Sequence, residues 1–170
     1  MTQNEKAIIR QLLAAEERKL EYIRKVSEET VSLAGMIGAG DMDNLLTVID
    51  RRQEQLDHME NTDAEIRRLL SELSPPGESL FRAVFEQVMR GEAAGEPLPP
   101  WADELCEILK KQKELLQSVM SAEGDNQAKV AGLLEDVRRQ IDAVKKNQTL
   151  IKKYAPNEDL PVGSVLNKKE

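Results

Sequence analysis

Apolar residues recur at steps of three and four through most of this chain, a pattern typical of helices that bury one face. The first such stripe predicts a helix over about residues 3–37 and the second a helix over about 41–73. Proline ends the second helix at "SPPGE", because it lacks a backbone donor. The second stripe falls on two heptad positions, with Arg52 and Asp63 as polar interruptions, and consists of Met42, Leu45, Ile49, Leu56, Met59, Ile66, Leu70 and Leu73.

A short helix and a third long stripe follow. The segment "ESLFRAVFEQVMRG" predicts a helix over about 78–90 that carries both phenylalanines, Phe81 and Phe85, and "GEAAGEPLPP" predicts a connector. The third stripe predicts a helix over 101–154, with the polar stretch "SAEGDNQ" near 121–127 either a turn at Gly124 or part of a continuous helix. Residues 155–170 are expected to form a flexible C-terminal tail.

The stretch "MIGAGDMDNLL" between the first two stripes predicts a tight reversal. Glycine at Gly38 and Gly40 can end a helix, and Asp41 can cap the next one. A short connection between two helices of matched length favours antiparallel neighbours. The expected fold is therefore all-α: a single elongated antiparallel hairpin or bundle of three long helices over residues 1–154, with coiled-coil-like packing plus one short helix.

Helix length has a consequence for the third stripe. At about 1.5 Å per residue, the first two helices span roughly 50 Å each, whereas an unbroken third helix would reach roughly 80 Å. Either Gly124 folds the last segment back into a four-helix bundle, or its apolar stripe stays exposed until a second copy or a partner helix covers it. That stripe consists of Val130, Val137, Val144 and Ile151, with Leu133, Leu134 and Ile141 beside them.

Composition excludes several classes of protein. The formal net charge of −7 argues against a nucleic-acid partner. No apolar run reaches the roughly 20 residues of a membrane span, and the start "MTQNEKAIIRQLL" lacks the apolar core of a signal peptide. Cys106 is the only cysteine, so no internal disulfide can form. A cytoplasmic protein without membrane insertion is expected.

Candidate chemistry is sparse. His58 is the only histidine, so metal sites built from several His or Cys ligands are not expected. A solvated position beside the second stripe is one interpretation of His58, and a phosphotransfer histidine is the other, although "LDHMEN" lacks the usual flanking residues. Cys106 is expected to be a small buried hydrophobe. We predict no enzyme, no cofactor and no metal.

Charge is distributed unevenly along the chain. Residues 41–73 carry nine acidic and four basic residues, whereas residues 138–153 carry six basic and one acidic. Either the two segments pack together, or the basic segment meets an acidic surface of a partner.

Two stretches resemble the bacterial flagellar export chaperones of the FlgN/FliT type. The first is "MIGAGDMDNLLTVIDRRQEQLDHMENTDAEIRRLL", with a Gly-Asp helix break, a leucine-rich start to the second helix and an arginine-glutamine pair at Arg52 and Gln53. The second is "GDNQAKVAGLLEDVRRQIDAVKKNQTLIKKY", similar to the family's last helix with a tyrosine, here Tyr154, near its end. The region 74–101 departs from the compact loop of the family.

The resemblance implies a function. Such chaperones hold a hook-associated or filament-cap protein by its C-terminal helical segment, prevent premature assembly and deliver it to the export gate and its ATPase complex. The client helix would lie on the last helix of the chaperone. A coiled-coil scaffold or adaptor that self-associates through the same stripes is the alternative, and a histidine phosphotransfer domain is a lesser one. The expected partner-binding residues are Val130, Leu133, Leu134, Val137, Ile141, Val144, Ile151 and Tyr154.

Overall fold

The protein is described by a computed structural model that covers residues 2–91 and 98–154, with all of their side chains except those of 42, 43 and 150–154. Every regular element in these residues is a helix, in the order α1 (Gln3–Ala39), α2 (Met42–Ser71), α3 (Pro75–Arg90) and α4 (Pro100–Tyr154). The chain divides into two compact units, Met1–Lys129 and Val130–Glu170. The expected tail and most of the connector after α3 lie outside the described residues.

The reversal between α1 and α2 is confirmed, with one change of position. Gly40 has φ 69°, a left-handed conformation that closes α1, and its N–H donates to the Ile37 carbonyl at 3.3 Å. Asp41 caps α2, since its carboxylate accepts from the Asn44 N–H at 3.3 Å. Gly38 lies inside α1, which ends at Ala39 rather than near residue 37. Only one glycine is therefore needed for the turn.

Helices α1 and α2 run antiparallel, as the sequence predicts. Three ion pairs link the two helices. From the start of α1 to its end, the paired residue on α2 lies progressively closer to the start of α2. The pairs are Arg18–Glu65 (2.6 Å), Lys19–Asp63 (2.6 Å) and Glu29–Arg51 (3.2 Å).

The buried face of α2 differs from the predicted stripe. Ile49 and Leu56 were expected in the interface, but their side chains are 43% and 36% exposed. Val48, Thr62 and Leu69 are buried instead. Ile66, Leu70 and Leu73 of the predicted stripe are buried as expected, and the buried Thr62 is satisfied within its own helix, since its hydroxyl donates to the His58 carbonyl at 2.8 Å.

The main core lies where α1, α2, α3 and the start of α4 meet. Helix α3 begins at Pro75, because the first turn of a helix does not use the N–H that proline lacks. It ends at Arg90 and is capped by Gly91, which has φ 75°. It is longer at its start than the predicted 78–90. Phe81 is buried in this core, whereas Phe85 is 40% exposed. The most deeply buried members are Leu12, Ala15, Leu69, Val84, Ala102, Leu105 and Leu109.

Helix α4 is continuous through residues 121–127, so Gly124 is not a turn. Two buried amides fix α4 beside α1 in parallel orientation. The Gln112 Nε2 donates to the Glu16 carbonyl at 2.9 Å, and the Asn126 Nδ2 donates to the Thr30 carbonyl at 3.2 Å. The Asn126 contact lies within the polar stretch, for which the sequence alone allows either a turn or a helix, and it favours the helix.

Candidate partner-binding surface on α4

An exposed apolar stripe occupies the C-terminal part of α4. Six of its side chains are each 40–56% exposed, and every residue from 127 to 149 is exposed. Isolated exposed apolar residues are ordinary, but a contiguous row indicates a binding surface. The side chains of Ile151 and Tyr154 lie outside the described residues. We call this surface the α4 stripe: Val130, Leu133, Leu134, Val137, Ile141 and Val144.

The register of the helix explains the stripe. At about 100° per residue, its six side chains fall within an arc of about 100° and extend over roughly 21 Å of helix axis. Val130, Val137 and Val144 continue, at seven-residue steps, a row that begins at the fully buried Leu109. Along this row, exposure rises from the buried Leu109 to the 37% exposed Leu116 and then to the exposed valines of the second unit.

Arg138 and Lys145 lie nearest to one edge of the α4 stripe, and the exposed Glu135 and Asp142 lie farther round the same side of the helix. Arg138 and Lys145 each follow a stripe valine by one position, and both are exposed. Arg139 lies on the opposite side of the helix, where its guanidinium pairs with Glu135 at 3.0 Å. A partner that covers the stripe would therefore meet Arg138 and Lys145 at its edge, where opposite charge favours and like charge disfavours association.

His58 lies on the outer side of the α1–α2 pair. Its side chain is 47% exposed, its ring stacks on Tyr22 with centroids 5.1 Å apart, and its Nε2 is 3.9 Å from the Glu54 carboxylate.

Cys106 is buried, as expected. Burial raises the pKa of its thiol, which disfavours the thiolate needed for nucleophilic chemistry. Within residues 2–91 and 98–154 there is no cluster of three or more His, Cys, Asp or Glu side chains that could hold a metal ion.

A buried carboxylate at Glu16 was not predicted. Only 3% of this residue is exposed, and its carboxylate accepts a hydrogen bond from the Gln112 Nε2 at 2.9 Å. Burial raises the pKa of Glu16, although the hydrogen bond from Gln112 and the charge of Lys19 oppose that rise. The sequence does carry a sign of this burial, because Glu16 lies midway between Leu12 and Leu20 on the apolar face of α1.

Comparison of the chain with models of known protein families, with curated proteins and with solved structures finds no match. Across the described residues, no helix combines the length and apolar character that crossing a membrane requires.

Proposed function

We propose that this protein is a cytoplasmic chaperone of flagellar type III export, which binds the C-terminal helical segment of a hook-associated or filament-cap protein. The observation that carries the proposal is the α4 stripe, a row of half-exposed apolar side chains on one face of a helix. Supporting features are the all-helical fold, the Gly40–Asp41 reversal and the resemblance in the second and last helices.

The binding mode in this proposal is an amphipathic client helix laid along the α4 stripe, which blocks premature assembly until delivery to the export gate. In the chaperone itself, the long helices pack as a coiled-coil-like bundle. Covering a half-exposed Val or Leu contributes on the order of 1 kcal/mol, so six give several kcal/mol. Ordering an unstructured client offsets part of this gain, and the resulting affinity allows release.

The test is a pair of glutamates in the stripe. Val137→Glu together with Val144→Glu should lower capture of a hook-associated or cap protein at least tenfold, because each carboxylate would have to be desolvated in the complex. Binding is measured by titration with purified candidate clients. Both positions are exposed, so far-ultraviolet circular dichroism should remain helical.

A matched control adds the same charge away from the stripe. Ala128→Glu together with Ala143→Glu places two carboxylates on exposed positions at the opposite side of α4. This variant should bind clients as the unchanged chain does. Equal loss in both pairs would indicate a general effect of charge, and no loss in either would show that the client binds elsewhere.

A further inference from the structure

A second apolar surface arises where α3 ends. The Lys113 Nζ donates to the carbonyls of Val88 at 3.0 Å and Met89 at 2.9 Å, so the last turn of α3 lies against α4 at Lys113. Helix α4 continues beyond this level, and α2 passes it as well. The first unit therefore contains four helices at one end and three at the other.

On α2, the row of residues that faces α3 continues past the end of that helix. Asp63 and Leu70 line a cavity of about 310 Å³ together with Phe81 and Phe85 of α3 and with Glu16 and Lys19 of α1, so this row lies where both α1 and α3 approach α2. Leu56 and Ile49 extend the same row at seven-residue steps toward the start of α2. Both are exposed because α3 does not reach them.

On α4, an equivalent row continues past α3. Met120 follows Lys113 by seven residues and is 74% exposed, and Leu116 beside it is 37% exposed. An ion pair between Arg52 and Glu123 joins α2 to α4 at this level. We take these two exposed rows, which the Arg52–Glu123 ion pair holds side by side, as the walls of one groove, the α2–α4 groove: Ile49, Leu56, Leu116 and Met120.

We propose that the α4 stripe of a second copy of this chain occupies the α2–α4 groove, and that the two copies exchange this contact reciprocally. The groove residues extend over about 10.5 Å on α2 and about 6 Å on α4, so the groove needs an apolar helix face of at least that length. The α4 stripe meets this need, since it spans roughly 21 Å. Reciprocal exchange gives a closed dimer with two identical contacts.

Charge complementarity selects this occupant. On α2, Asp50 and Asp57 each follow a groove residue by one position, as Arg138 and Lys145 each follow a stripe valine. Both pairs are seven residues apart, about 10.5 Å along a helix, so they can meet in register. Within the described part of the chain, all four are exposed and none forms an ion pair.

This inference uses the surface that the proposed function assigns to the client, but it does not rest on the identity of the client. It adds one consequence to that function, namely that self-association and client capture compete for the α4 stripe. In this proposal only self-association uses the groove, so substitutions in the groove should affect self-association and leave client capture unchanged.

Charge reversal tests the contact. Arg138→Glu with Lys145→Glu, or Asp50→Lys with Asp57→Lys, should each raise the dimer dissociation constant at least tenfold, measured by sedimentation velocity at low salt. A mixture of the two reversed chains should recover association, because every stripe then meets a groove of opposite charge. Arg139→Glu with Lys146→Glu is the control with the same net charge on the other side of α4, and it should dimerise as the unchanged chain does.

Several outcomes would overturn the inference. A chain that is monomeric up to about 100 µM, a mixture that does not recover association, or a control that fails as badly as the test pair would each do so. Met120→Glu should abolish dimerisation and leave client capture intact. Loss of client capture in this variant would assign the groove to the client instead. If the proposed client fails to bind while the reversed chains behave as expected, the dimer stands and the export function does not.

Discussion

Glu16 shows how a single buried carboxylate sets a dependence of stability on pH. Because burial raises its pKa, the folded protein favours the protonated form more than the unfolded chain does. The contribution of Glu16 to the free energy of unfolding is therefore largest below the ordinary pKa of a glutamate, and it is lost as pH rises through the raised pKa of the folded state. Lys19 and Asp63 face the same carboxylate with opposite effects.

Replacing Glu16 by glutamine should reveal this dependence. The amide oxygen can still accept from the Gln112 Nε2, while no charge has to be desolvated. We expect Glu16→Gln to raise the free energy of unfolding by about 1 kcal/mol near pH 8, and this advantage to shrink as pH falls toward 5. Urea unfolding at several pH values measures it. Glu17→Gln at the exposed neighbouring position should show no such advantage, and a constant advantage at all pH values would contradict the assignment to titration of Glu16.

At the scale of helices, the α1–α2 turn depends on one residue. Gly40 adopts a positive φ of 69°, which costs a residue with a Cβ about 1 kcal/mol or more. Gly38 lies two residues earlier in ordinary helix, and nothing lies within 4 Å of the position of an added Cβ. A side chain is therefore unfavourable at position 40 and tolerated at position 38.

Alanine substitutions at these two positions should have opposite effects on the free energy of unfolding. Gly40→Ala should lower the free energy of unfolding by about 1 kcal/mol, and Gly38→Ala should raise it by up to about 1 kcal/mol through its better helix propensity. Thermal or urea unfolding of the two variants measures the difference. Destabilisation by both would mean that α1 ends before Gly38.

The sequence predicts the α-helical class, the α1–α2 hairpin and the approximate bounds of the helices, because these depend on local periodicity, proline and glycine. It predicts the buried Ile66, Leu70 and Leu73 of α2 but not the buried Thr62, whose hydroxyl is satisfied on its own helix. The sequence leaves the continuity of α4 open for a similar reason. Asn126 reaches the Thr30 carbonyl of a distant helix, and local propensity carries no sign of that contact.

The candidate surface was predictable in part. Periodicity identifies the apolar row from Val130 to Val144, but the row looks the same whether it is core or surface. The α2–α4 groove could not be predicted, because it depends on where α3 ends relative to α4, which the Lys113 contacts define. A role for the row in binding stays a prediction.

Across the whole molecule, the two units are stabilised in different ways. Helix α4 carries fully buried residues such as Leu105 and Leu109 in the first unit, whereas residues 130–149 are all exposed. A helix without tertiary contacts is held only by its own propensity, which is marginal for segments of about 15 residues. Residues 130–149 therefore open more readily than residues 102–119.

Hydrogen exchange should report this difference. Amides of residues 130–149 are expected to exchange at least about 100-fold faster than amides of residues 102–119 in dilute protein, where no partner is bound. Raising the protein concentration or adding a client should slow the faster group only. Equal protection of both segments in a dilute monomeric sample would mean that residues 130–149 are already packed.

The two amides that fix α4 beside α1 also determine how the first unit responds to force. Gln112 and Asn126 donate to carbonyls of α1 that are as far apart as they are themselves, fourteen residues along each helix. A pull along the axis of α4 would load both contacts in shear, and both would fail at the same small displacement. These two hydrogen bonds would therefore resist sliding of α4 together and break together, whereas the apolar contacts of Leu105 and Leu109 would be lost gradually.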